Sequence, residues 1–187
     1  MISAYFSILE HVMVLSLPFL GQTPERVNIK EFIGARWGDK FKTLFDVKAD
    51  AETKAQFDAL HRIAEDYRNT YGHGGFDKAG ASIGFHLPGI GALPAALSNI
   101  RDSPEFDFLP VDAESFDQVK QVFDAVDAWL SNAANPYGMA WVKSGLDARY
   151  DADFLAEIIF ATEPNGNFDE LISSHSFAAD QHANMDY

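Results

Sequence analysis

Between residues 72 and 111 the chain carries seven glycines and four prolines, and this stretch limits the folds open to it more than any other. In a helix interior glycine costs about 1 kcal/mol and proline about 3 relative to alanine. No regular helix is therefore expected to cross the segment, and long helices are confined to one block before it and one after it. Within the segment Ile83, Phe85 and Leu87 alternate, so 81–87 is expected as a short strand or extended arm. The remainder of 74–111 reads as an irregular, partly extended insertion.

The first block has helical spacing throughout. Residues 2–20 place Tyr5, Phe6, Leu9, Val12, Met13 and Leu17 on one apolar face, ending at Pro18 and Gly21. Residues 28–46 form a second helix, capped by Asn28 with Glu31 three residues on. Its expected buried side is Phe32, Ile33, Trp37, Phe41, Leu44 and Phe45. A third helix over about 50–71 turns Phe57, Leu60, Ile63, Ala64 and Tyr67 inward, with Arg62, Glu65 and Asp66 outward. His61, one turn before Glu65, reads as structural.

Helical spacing resumes at 112–133, with Asp112 as cap and Phe116, Val119, Val122, Phe123, Val126, Trp129 and Leu130 inward. Asn135-Pro136-Tyr137-Gly138 breaks that helix. Shorter helices are expected at about 138–144 and 152–162, followed by a partly ordered tail at 167–187 with one helical stretch around 168–173. The tail's His175 and His182 have no ligand set close in sequence, so no metal site is expected there. Together these elements read as one all-α domain over 1–187.

With 28 acidic and 14 basic residues the chain has a formal net charge of −14. Most of such a surface repels nucleic acid, the reverse of the basic footprint of a general binder. A local basic slot remains compatible with that charge. The absence of cysteine removes disulfides and thiolate metal ligands. The apolar N-terminal stretch lacks a basic leader and is interrupted by Glu10-His11, against a signal peptide or membrane span. A cytoplasmic protein with no membrane association is expected.

Chemistry-bearing residues concentrate where the third helix runs into glycine: Tyr67-Arg-Asn-Thr-Tyr-Gly-His-Gly-Gly-Phe-Asp-Lys78. Arg68 offers a permanent charge and a planar fork suited to phosphate oxygens. His73 is the side-chain type that exchanges a proton near neutrality. On an unbroken helix the two would lie roughly 140° apart. Gly72 permits the left-handed turn that ends helices, which would fold His73 back toward Arg68. The bland alternative for Arg68 is pairing with Glu65 or with the helix C-terminal dipole. Two other patterns are decoys. Gly80-Ala-Ser82-Ile-Gly84 matches a serine-hydrolase elbow, yet Pro88 and Gly89 follow where that elbow needs a helix. Gly89-Ile-Gly91 lacks the third glycine of a dinucleotide loop.

Arg68-Asn69-x-x-x-His73-Gly74 resembles the Arg-x(4–6)-His motif of the HEPN superfamily, including the polar residue after the arginine. The similarity continues through Phe85-His-Leu-Pro-Gly-Ile-Gly-Ala-Leu-Pro94 and, upstream, Tyr5-Phe-Ser-x-Leu-Glu10-His11, covering about half the chain. The resemblance implies a HEPN-like helical bundle with the Gly/Pro-rich insertion after its third helix. It further implies a homodimer that places two motifs around one cleft, acting as a metal-independent, cofactor-free endoribonuclease. Arg68, Asn69 and His73 would be catalytic, with Glu10, His11, Tyr71 and His86 bordering the site or binding substrate. A toxin or defence role, with an antitoxin partner, accords with that family. The alternative is a non-catalytic helical domain that binds a partner or a nucleotide and retains the motif.

Overall fold

The computed structural model describes residues 2–48, 50–65, 82–89, 91–97, 106–107 and 113–185. Arg68, Asn69, Tyr71, His73 and the Asp112 cap lie outside these residues. The described chain is dominated by eight α-helices: α1 (Ile2–Ser16), α2 (Ile29–Gly34), α3 (Trp37–Leu44), α4 (Ala51–Ile63), α5 (Ala113–Trp129), α6 (Pro136–Ser144), α7 (Ala152–Thr162) and α8 (Phe168–Met185). The expected all-α character holds for this helical body. The segment expected to be partly extended carries three strands, β1 (Ser82–Leu87), β2 (Gly91–Leu97) and β3 (Phe106–Asp107), in one antiparallel sheet of order β1-β2-β3.

The chain divides into two compact units, one of residues 1–3 and 51–125, the other of 4–50 and 126–187. In the first, α4 buries Phe57, Leu60 and Ile63, and α5 buries Val119 and Phe123. Phe116, expected inward, is 47% exposed. Strand β1 pairs with β2 along its whole length, Ser82 opposite Ala96 and Leu87 opposite Gly91. Gly89 makes the hairpin turn with φ +81°, a left-handed value that costs glycine nothing. Ser82 thus starts a strand that leads into a hairpin, so the Gly-x-Ser-x-Gly match lacks the following helix of a nucleophile elbow.

The second unit is built on aromatic packing. Phe6 of α1 meets Trp37 of α3 at 5.1 Å between ring centroids, and Phe41 stacks on Trp129 at 5.7 Å. Leu17, Val27 and Phe32 form one buried cluster, bordered by Tyr150. Trp141, Phe154, Ile158, Ala161 and Phe168 form another. Phe19, on a 3₁₀ turn at Pro18–Leu20, closes it against Trp141, Phe154 and Phe168.

Two helix boundaries differ from expectation. The helix expected over 28–46 begins as predicted, with the Asn28 side chain accepting from the Lys30 and Glu31 amides. It then stops at Gly34, and Ala35 and Arg36 are extended before α3 starts. The interruption resets the helical phase: Trp37 is buried while Ile33 is 54% exposed. The tail, expected to hold only a short helix, forms the 18-residue α8. Its start is fixed by a reciprocal cap, in which Asn167 accepts from the Glu170 amide and donates to the Glu170 carboxylate, satisfying end groups that would otherwise fray. No helix of the described residues is long and apolar enough to cross a membrane.

Candidate functional site

Helix α4, which runs toward the Arg68–His73 motif, is formed as its apolar spacing requires. Leu60, Ile63 and Ala64 are buried, while His61 pairs with Glu65 at 3.4 Å and rests against Phe57. His61 is thereby occupied locally, in keeping with a structural role. Arg68, Asn69, Tyr71 and His73 themselves fall outside the described residues. His86 occupies the register position opposite Ala92 in the hairpin.

Of the residues expected to border the motif, Glu10 and His11 are neighbours on α1 with different fates. A step of about 100° per residue turns Glu10 toward α3 and leaves His11 exposed. Glu10 Oε2 lies 2.8 Å from Lys40 Nζ, with the side chains 23% and 4% exposed. An ammonium this deeply buried needs its counter-charge, because desolvation of an unpaired ion costs several kcal/mol. Lys40 carried no signal of its own in the sequence beyond lying three residues after Trp37 and one before Phe41, inside an apolar stripe.

A second titratable cluster was not foreseen. His175 Nε2 on α8 is 2.8 Å from Glu157 Oε2 on α7. Arg149 approaches the other Glu157 oxygen at 3.7 Å and Asp151 at 3.6 Å, with its guanidinium 5.4 Å from the Phe154 ring centroid. The imidazole meets Trp141 and Phe154 edge-on, at 5.1 and 5.8 Å. Eighteen residues separate His175 from Glu157, so no local spacing rule links them; only the antiparallel return of α8 on α7 does. Among the described residues no group of three or more His, Asp or Glu could hold a metal ion.

Three buried polar atoms in this unit have no hydrogen-bond partner among the described residues: Asn135 Nδ2, Trp141 Nε1 and the Tyr150 hydroxyl. Asn135 is the most constrained, since its Oδ1 caps α6 by accepting from the Gly138 amide at 3.1 Å. Burial holds the Tyr150 hydroxyl above its ordinary pKa, and the Glu25 carboxylate adds to the effect. Glu25 is itself held below the usual carboxylate range, chiefly by a hydrogen bond with the Thr23 side chain.

Compared with known protein families, with curated proteins and with solved structures, the chain matches none.

Proposed function

We propose that this chain is a metal-independent endoribonuclease of the HEPN type, acting as a homodimer in a toxin or defence role. The observation that carries the reading is the motif Arg68-Asn69-x-x-x-His73, which follows the amphipathic helix α4 and precedes the insertion. The predominantly helical body supports it.

RNA supplies its own nucleophile. The 2′-hydroxyl attacks phosphorus, the bond from phosphorus to O2′ forms, and the bond to O5′ breaks. A base takes the 2′-hydroxyl proton and an acid delivers one to the departing O5′, leaving a 2′,3′-cyclic phosphate and a 5′-hydroxyl. His73 from two subunits would fill the two proton-transfer roles, each contributing roughly 10²–10⁴-fold. Arg68 would stabilise the extra charge on the phosphorane, and Asn69 would orient the phosphate or the imidazole.

The net charge of −14 favours a second reading, a helical domain that binds a partner or a nucleotide without chemistry. Cleavage of a panel of single-stranded and structured RNAs in EDTA separates the two. Cleavage by the wild type that leaves cyclic-phosphate ends and is lost in His73→Ala supports the nuclease. Nucleotide binding that survives His73→Ala and falls in Arg68→Ala, with every RNA left intact, supports the binding domain.

A further inference from the structure

The last 38 residues, 150–187, contain eight aspartates and glutamates and no lysine or arginine. More than half of the chain's net charge is therefore concentrated in one-fifth of its length. Part of this acidic segment forms one wall of a cleft of about 570 Å³, between the start of α6 and the turn that joins α7 to α8. That volume lies within the range of small-ligand sites.

The groups that line the cleft share one preference. Tyr137, 41% exposed, packs on Phe168 at 4.8 Å between centroids, so an aromatic surface stands open to the cleft. Glu163 and Asp169 line it as well, and neither carboxylate has a hydrogen-bond or ion-pair partner among the described residues. The other polar side chains are already occupied: the Thr162 hydroxyl donates to carbonyls of its own helix, and Asn167 is committed to capping Glu170. The α7 C-terminus adds partial negative charge at the same place. The α8 N-terminus would favour an anion, but its first turn already carries Asp169 and Glu170, which an incoming anion would meet first.

We propose that this cleft binds an alkylammonium group, with its cationic end against the Tyr137 ring in the cleft that Glu163 and Asp169 also line. An aromatic face attracts a cation through its quadrupole, and the acidic segment raises the local cation concentration. Two sources carry this chemistry, a lysine side chain on a basic partner segment and a free polyamine. The proposal is independent of the ribonuclease reading, because none of its residues belongs to the Arg68–His73 motif.

Amide and aromatic NMR of the full chain, titrated separately with spermidine and with a capped lysine-containing peptide, tests it. Saturable shifts centred on Tyr137, Gly166 and Asp169 are expected. Tyr137→Leu, which keeps apolar bulk on Phe168, and Glu163→Gln should each weaken binding about three- to fivefold. Saturation by the peptide alone assigns the cleft to a partner segment, and by spermidine alone to a polyamine. Shifts that never saturate, that centre elsewhere, or that neither variant alters overturn the proposal.

Discussion

Lys40 Nζ and Glu10 Oε2 meet at 2.8 Å in a setting where the lysine side chain is 4% exposed, so α1 and α3 are joined by charge inside an aromatic core. Removing one partner of a buried pair costs more than the pair itself contributes, because the survivor is left desolvated. Glu10→Ala should destabilise the protein by about 3 kcal/mol, read as a lowered urea midpoint with an unchanged slope. The double variant Glu10→Leu, Lys40→Met should recover most of that loss. An alanine variant that unfolds with the wild type would show that the ammonium finds other solvation.

Tyr150 offers a pH-dependent counterpart. Its hydroxyl is buried without a partner among the described residues, and burial followed by the Glu25 charge raises its pKa. Below about pH 10 both the folded and unfolded chains hold the phenol proton. Above it the unfolded chain releases the proton first, so the folded state binds more protons and stability falls as pH rises. Tyr150→Phe should be neutral or stabilising by up to about 1 kcal/mol at pH 7, since an unsatisfied hydroxyl is removed. The variant should also lose part of the alkaline destabilisation. Parallel loss of stability in both proteins between pH 9 and about 11 would place that alkaline response elsewhere.

Local chemistry was legible in the sequence, and long-range pairing was not. The Asn28 cap, the inward faces of α1 and α4, the inward face of α5 apart from the exposed Phe116, and the span of α7 each follow from signals within a few residues. The strand at 82–87 was visible in its alternation, but β2 was hidden because Ala92, Pro94 and Ala95 carry no alternating pattern and only the pairing with β1 makes it a strand. The break at Ala35-Arg36 was masked by apolar residues on both sides that continue one helical phase closely enough to mislead. At the candidate site, Lys40 and His175 were missed for the same reason: each is defined by a partner on another helix, Glu10 or Glu157. The Arg68–His73 motif was legible as a pattern, and its geometry lies outside the described residues.

Two glycines should respond to alanine for different reasons. A Cβ on Gly166 would run into the carbonyl oxygens of Phe160 and Ala161. Backbone atoms at a helix end cannot swing aside as a side chain can, so Gly166→Ala should cost about 1–3 kcal/mol. Gly145 has open space around it but a φ of +74°, where a Cβ costs roughly 1–2 kcal/mol through local strain alone. A combined variant should be close to additive if the two ends are independent. Thermal unfolding of the three proteins checks this; a silent Gly166→Ala would mean that the α7–α8 turn can relax away from its carbonyls.

His175 is the residue that fastens α8 near its middle. Before it, α8 has buried Phe168 and partly buried Leu171 and Ile172 in the core cluster; after it, residues 177–182 are exposed, including Phe177 at 67%. The imidazole joins Glu157 by a hydrogen bond and rests edge-on against two core rings. His175→Leu keeps the apolar contact and loses the hydrogen bond, at a cost of about 1 kcal/mol. His175→Ala loses both and should cost about 2 kcal/mol. Since residues 177–182 of the following turns are exposed, the effect should appear first as faster amide exchange over 176–185, with α6 and α7 still protected. Equal exchange in wild type and His175→Ala would mean that the second half of α8 is held by its own helical hydrogen bonds and not by this anchor.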